Sequence, residues 1–527
     1  MHKVLINGQW RDAKASGSFS AANPNTREKH EDEYPVSTWA DCDEALTAAS
    51  DAFVEMQTMD RAKIALFLET FAAQIEERKD ELVDLAHRET ALPVSPRLAD
   101  VELPRTTNQL RQAAQAVANG SWALPTIDTQ ANIRSVYAGF GPVIVFGPNN
   151  FPFAFGSVSG GDFAAAIAAG NPVIGKANSS HPGTTRIFAE AALAAAEIAD
   201  VPRSIVQLIY RTSHEDGEKL VSDPRVGATG YTGSQGAGLK LKAAADAAGK
   251  PIYLELSSVN PVFMLPGVLE ERGEALAEEY AGSCLMGTGQ FCTNPGVVFV
   301  PNSEAGAKFI DGVKGKFDST PAGTLLSEAT EKALNQSVAF LESQGATKVT
   351  SADTSDASKF SCSNALLTIP AADFIAKPEE MQTEAFGNAA LFVTYENDDQ
   401  LVQSIQALEG NLTGCIYSDS NGADDDSYDK IAPLLSQKVG RLLNDKMPTG
   451  VAVSAAMNHG GPYPATGHPG HSAVGIPGTI RRFAMLQCYD NVREHRLPAL
   501  LRNPSPTKDT WRLVDGEWTT DDVTLTV

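Results

Sequence analysis

The chain is short of what would staple it, anchor it or hold it to a polyanion. Only six of its 527 residues are Cys (Cys42, Cys284, Cys292, Cys362, Cys415 and Cys488), and no two form a Cys-x-x-Cys pair. A chain this long needs no disulfide framework, so reduced thiols and a cytoplasmic setting are expected. No apolar run approaches the roughly 18 residues of a membrane-spanning helix. The most apolar stretches, around Val143–Phe146 and Phe163–Ala169, are short and broken by Gly and Pro. The segment Met1–Asp12 has one Lys and no apolar centre, so it reads as a strand pair turning at Asn7–Gly8 and not as a signal peptide. Positive charge is scarce, with 42 Lys plus Arg against 65 Asp plus Glu and a net charge of −23. That excludes a nucleic-acid partner, which needs clustered cations, and a polybasic membrane anchor. There is no GxSxG motif, no readable Ser/His/Asp set and no solenoid repeat. His459, His468 and His471 share a Gly/Pro-rich loop, but their spacing fits no standard ligand pattern and no metal is expected. The acidic run Asp424–Asp426 reads as a solvated surface turn.

What is present suits a large globular protein. Hydrophobic residues at 43% and charged residues at 20% allow several packed domains. Residues 41 to about 90 read as helical: Asp41 and Glu44 have capping-box spacing. A second helix, Lys63–His87, places Leu66, Phe67, Phe71, Ile75 and Leu82 on one side. From about 141, short apolar runs alternate with Ala-rich helical segments. Strands are expected at Val143–Phe146, Pro172–Ile174, Ser204–Ile209, Gly227–Tyr231 and Ile252–Leu256, with helices such as Thr185–Ala199 and Leu239–Ala248 between them. A second run follows from Val262–Leu265 through helix Leu269–Ala281, strand Val297–Val300 and helix Ala305–Lys316. This βαβ spacing predicts an α/β fold of two doubly wound units in series. The tail beyond about 500 mixes polar and turn residues and closes on alternating Val, Thr and Leu.

In such sheets ligands gather at the carboxyl ends of strands. Four places there can carry chemistry. The turn Gly147-Pro148-Asn149-Asn150-Phe151-Pro152 offers an amide to a developing oxyanion, or is an ordinary turn. The stretch Gly230–Gly238 could hold a pyrophosphate on backbone N–H groups, or is a plain βα turn; it does not fit GxGxxG. Glu255, ending an apolar strand, is either structurally paired or a general base. Cys292, in the flexible segment Gly287–Gly296, is the best nucleophile candidate of the six thiols.

Together these segments resemble the aldehyde dehydrogenase superfamily. The resemblance is carried in order by Asn150-Phe151-Pro152, Gly170–Lys176, Thr232-Gly233-Ser234 through Gly238, Leu254-Glu255-Leu256, Gly289-Gln290-Phe291-Cys292 and Glu384-Ala385-Phe386-Gly387. Four variants, Leu256–Pro261, Phe291–Gly296, Pro448–Val451 and His459–Thr466, resemble the NADP-type branch holding 2,5-dioxovalerate (α-ketoglutaric semialdehyde) dehydrogenases and bacterial fatty aldehyde dehydrogenases. Gly387-Asn388 departs from the family's usual Gly-Pro.

The resemblance implies a nicotinamide-dependent oxidation of an aldehyde to an acid through a cysteine thioester. Cys292 would be the nucleophile, Asn150 an oxyanion donor and Glu255 the base that activates water. Lys176, Gly233, Ser234, Glu384 and Phe386 would hold the cofactor. Ser179 replaces a Glu common in NAD-preferring members; with Arg211 beside the phosphate, NADP is expected, NAD being possible. Arg211 could equally be a solvated surface residue. Arg105, on a helix expected over Pro104–Val117, would either clamp a substrate carboxylate or form a surface ion pair. Phe151 and Phe153 could line an apolar tunnel for a fatty aldehyde. Glu255 weighs against a CoA-acylating relative, and the complete set against a catalytically silent one. The implied domains are cofactor-binding (1–120 with 141–257), catalytic (258–459) and an oligomerisation flap (121–140 with 479–495). Residues 460–478 and 496–527 would form a return segment and tail. A homodimer or homotetramer is expected.

Overall fold

The computed structural model describes residues 1–524. Two seven-stranded sheets dominate it. In the first, Ile252–Glu255, Ala228–Thr232, Val143–Phe146, Val173–Lys176 and Val206–Ile209 run parallel in that order. The antiparallel hairpin Val4–Ile6 and Gln9–Arg11 extends it, as the Asn7–Gly8 turn foretold. These strands read as unbroken apolar runs because helices cover both faces. The chain lays down its strands outward from Val143–Phe146 and then returns to place Ala228–Thr232 on that strand's other side. The resulting switch point opens a crevice at the carboxyl ends.

In the second sheet, Ala365–Pro370, Ala389–Tyr395, Val297–Pro301, Val262–Met264, Asn411–Tyr417 and Val439–Asn444 are parallel, with Thr347–Lys348 antiparallel at one edge. A five-stranded sheet pairs Met485–Asp490 with Ile133–Ala138, then Thr126–Asp128, Arg512–Val514 and Glu517–Thr519. The segment expected as a plain tail therefore contributes two strands. Of the alternating run at its end, the last three residues lie outside the described residues.

Several local expectations need correcting. The helix over the Asp41 region begins at Trp39, so Asp41 is not its cap. Its buried carboxylate instead accepts the Lys14 N–H at 3.0 Å and pairs with Arg11. The predicted helix Lys63–His87 is two, Arg61–Glu77 and Lys79–Thr90, interrupted at Arg78. Leu66 points to solvent, at 48% exposure, while Phe67, Phe71 and Ile75 are buried. The acidic run is not simply solvated. Asp424 is buried and accepts the N–H groups of Gly267 and Val268 at 2.8 and 2.9 Å, capping the helix Pro266–Leu285.

Candidate active site

The turn after Val143–Phe146 is held by its carbonyls. Asn178 donates to Gly147 O at 3.1 Å, His181 Nε2 reaches Pro148 O at 2.9 Å, and Arg97 donates to Asn150 O at 2.9 Å. Burial holds His181 below its ordinary pKa, so it is a neutral ring donating to that carbonyl. Arg97 pairs with buried Glu102, whose other oxygen accepts the N–H groups of Phe153 and Ala154 at 2.9 and 3.0 Å. The Asn150 side chain is thereby fixed, donating to Gln290 O at 3.0 Å. That bond joins the first sheet's turn to the Cys292 loop.

Cys292 does not follow a strand. It precedes Val297–Pro301, as the Glu384 segment precedes Ala389–Tyr395. The rule of carboxyl ends holds for Asn150, Lys176, Ser234 and Glu255 but fails for these two, because amino ends of the second sheet face the crevice of the first. The Cys292 loop is shaped by left-handed backbone at Gly287, Thr288 and Gly289. A Cβ on Gly289 would stand 2.0 Å from Gly387 O, so glycine alone allows the two loops to touch. Asn260 ties the loop down, its amide donating to Cys292 O at 3.0 Å and Asn294 O at 2.8 Å. The segment Leu256–Pro261 thus positions the Cys292 loop. Asn388, the other departure, is buried and bonded to Cys362 O and Asn364 Oδ1 at 2.9 and 2.6 Å.

Three side chains converge. Cys292 Sγ lies 3.4 Å from His459 Nε2, and the same nitrogen lies 2.8 Å from Glu255 Oε1. Burial, then the negative charge of Glu255, push the Cys292 thiol well above its ordinary pKa; Arg105 opposes them. A thiol so placed needs a neighbouring base, and His459 is within reach. His459 was legible only as one of three loop histidines. The other two pack against Tyr253, His468 tilted at 5.0 Å and His471 edge-on at 5.3 Å.

Phe151 packs edge-on against Phe155 and Phe291 at 5.4 and 5.6 Å, and Phe155 against His459 at 5.8 Å. Phe153 does not share this row: it is fully buried against Phe188. Phe155, missed in the sequence, takes its place. The Arg105 helix runs Leu103–Asn119, and the guanidinium lies 5.5 Å over Phe155. It donates through Nη1 to Val451 O, while Nε and Nη2 are buried without a partner. Among the described residues Arg105 makes no ion pair.

At the first sheet's carboxyl ends, burial pulls the Lys176 ammonium down to about 8, and Arg211 adds to the shift. Ser179, three residues on, is partly exposed. Arg211 is exposed and near Phe19, at 5.6 Å. The glycine turn leads into the helix Gln235–Ala247, whose N-cap Ser234 makes no side-chain cap bond, and Gly233 N–H donates to Glu255 O at 3.1 Å. Two cations and an uncapped helix N-terminus fit the phosphates of a dinucleotide. A second cleft is lined by Phe291, Glu384 and Phe386. Burial pushes Glu384 up to about 7 against hydrogen bonds from Ser257 and the Ser258 N–H. A carboxylate there can accept from ribose hydroxyls.

No helix among the described residues is long and apolar enough to cross a membrane. Residues 10–449 match the model of the aldehyde dehydrogenase family. The chain is 36% identical over 525 residues to alpha-ketoglutaric semialdehyde dehydrogenase 2 of Azospirillum brasilense, covering 97% of this chain and 98% of that one. It is 34% identical to alpha-ketoglutaric semialdehyde dehydrogenase of Acinetobacter baylyi, covering 98% of each. Among solved structures, aldehyde dehydrogenase C of Pseudomonas syringae, in complex with NAD+ and octanal, aligns with a TM-score of 0.78 at 18% identity, over 93% of this chain and 96% of that one. PnpE in complex with nicotinamide adenine dinucleotide aligns at 0.78 and 20% identity, over 95% of this chain and 100% of that one. The chain therefore belongs to the aldehyde dehydrogenase family and is a nicotinamide-dependent oxidoreductase acting on aldehydes.

Proposed function

We propose that the protein oxidises 2,5-dioxovalerate (α-ketoglutaric semialdehyde) to 2-oxoglutarate with NADP. The observation that carries the substrate is Arg105: a guanidinium beside the Cys292 site with two buried, unpaired nitrogens is a bidentate receptor for a carboxylate. The names of the two full-length relatives agree with it. For the cofactor, Ser179 leaves room for the 2′-phosphate that a Glu would repel, and Lys176 and Arg211 offer it charge. A fatty aldehyde is the second reading, favoured by the aromatic row Phe291, Phe151 and Phe155.

In the reaction, the Cys292 thiol proton passes to the hydrogen-bonded Glu255–His459 pair, and the thiolate attacks the aldehyde carbon. The Asn150 amide and the Cys292 N–H stabilise the oxyanion, worth about 3–4 kcal/mol per donor at such sites. The nicotinamide, when bound, accepts the hydride. Glu255 then takes a proton from water, whose hydroxide attacks the Cys292 thioester; the acid leaves and the sulfur regains its proton. Glu384 and Phe386 would hold the nicotinamide end, and Gly233, Ser234 and Lys176 the adenosine end.

We take the domains to be those set out from the sequence, with the strands Arg512–Val514 and Glu517–Thr519, which pair with Thr126–Asp128, assigned to the flap as well. The flap's edge strand exposes Met485 and Leu486, at 47% and 54%, which supports its use in a homodimer or homotetramer. The test is an aldehyde panel with NADP and NAD, including 2,5-dioxovalerate, succinic semialdehyde, glutaraldehyde and a long-chain aldehyde. Highest kcat/KM for 2,5-dioxovalerate with NADP is expected. A long-chain preference overturns the substrate, and a large NAD preference the cofactor.

A further inference from the structure

We propose that the resting active site is a three-donor site for a soft divalent cation, and that Zn2+ binds there as a reversible inhibitor. The proposal rests on the juxtaposition of Glu255, Cys292 and His459 and is independent of the substrate assignment. Their ligand atoms all lie within 4.8 Å of one another. One thiol, one imidazole and one carboxylate are the donor types of zinc sites that keep an open position. With Zn–S of about 2.3 Å and Zn–N and Zn–O of about 2.0–2.2 Å, tetrahedral ligand atoms stand about 3.3–3.6 Å apart. The observed 3.4 Å between Sγ and Nε2 already meets this, and the 2.8 Å between Nε2 and Oε1 opens by about half an ångström.

A second observation points the same way. Glu255 is 4% exposed, and its Oε2 is buried without a hydrogen-bond partner. A carboxylate oxygen left bare beside a thiol and an imidazole is available to a cation. All three carriers are also fixed. Glu255 ends a strand, Asn260 holds Cys292 O, and the His459 backbone is held by Ser472 Oγ at 2.9 Å and by the Ala473 N–H at 2.8 Å. Preorganised donors lose little freedom on binding, and the thiolate selects Zn2+ over the oxygen-seeking Mg2+ and Ca2+.

The binding step balances simply. The Cys292 S–H bond breaks, its proton goes to solvent, and an S–Zn bond forms. His459 gives an Nε2 lone pair, with its ring proton then on Nδ1, and Glu255 gives a carboxylate oxygen. One thiolate and one carboxylate neutralise the ion's two charges. The sulfur so occupied cannot add to an aldehyde.

The test is calorimetric titration of the full-length protein with zinc chloride in a non-chelating buffer, run beside an activity assay. One Zn2+ per chain, loss of activity in parallel, recovery with EDTA and no response to Mg2+ are expected. Cys292→Ser and His459→Gln should each weaken the event at least about a hundredfold. Zinc should block alkylation of Cys292 by iodoacetamide in the parent protein and not in His459→Gln, a readout that needs no turnover. Cys488→Ser, which removes the exposed thiol, should bind as the parent does. A His459→Gln variant that is folded by circular dichroism yet binds Zn2+ as tightly as the parent overturns the proposal, as does a one-to-one event that survives Cys292→Ser.

Discussion

Replacing Arg105 with Met removes a cation whose Nε and Nη2 are buried and unpaired, and one hydrogen bond, to Val451 O. For stability the lost bond costs about 1 kcal/mol, whereas each unsatisfied buried donor removed returns about 1–3 kcal/mol. The thermal midpoint of Arg105→Met should therefore be unchanged or higher. For the reaction the balance reverses. A charge-assisted hydrogen bond is worth about 1.5–3 kcal/mol, so losing a bidentate pair costs about 3–4 kcal/mol, or about 10²–10³-fold at 1.4 kcal/mol per decade. That loss should fall on kcat/KM for 2,5-dioxovalerate alone. Hexanal, which has no carboxylate, should keep its kcat/KM or gain, because the site becomes more apolar. The assay measures both aldehydes with NADP on one preparation, so any general damage cancels in the ratio. A ratio unchanged by the substitution refutes the clamp.

Two further perturbations follow from the geometry. Gly289→Ala forces a Cβ to 2.0 Å from Gly387 O at a φ of +68°, and should cost more than about 3 kcal/mol of stability together with most activity. Gly236→Ala, whose Cβ meets nothing within 4 Å, should stay within about 0.5 kcal/mol of the parent in the same urea titration, and equal effects at the two sites would contradict the loop contact. Lys176, held near 8 by burial, is charged below that pH and neutral above it, so KM for NADP should be flat to about pH 8 and then climb. Lys176→Arg should flatten the climb, and a KM that ignores pH in both proteins would remove Lys176 from the phosphate site.

The sequence made parts of this site legible where chemistry is written within a few neighbouring residues. Asn150, Lys176, Cys292 and Glu384 each sit in a short motif whose glycines or prolines mark a turn, and Glu255 closes an apolar strand. His459 could not be read that way. Its partners lie 167 and 204 positions away in Cys292 and Glu255, and only the packing of two sheets brings them together. Arg97 and Glu102 escaped notice for the same reason, since an ion pair on a helix gives no sign that it clamps a distant turn. Among the elements, strands buried on both faces announced themselves as apolar runs, whereas the break at Arg78 left no Gly or Pro to mark it. Leu66 shows that helical spacing names a face but not its width. Asp424 shows that an acidic run can hide one residue turned inward to cap a neighbouring helix.

The central claim is a covalent route in which Cys292 carries the acyl group and Glu255 releases it. The most direct test mixes Glu255→Gln with 2,5-dioxovalerate and NADP, follows NADPH in the first turnover, and then quenches for peptide mass analysis. The account predicts a burst of one NADPH per active site, negligible turnover afterwards, and the acyl group on the peptide that contains Cys292. Loss of the burst together with the steady state, with that peptide unmodified, would contradict it.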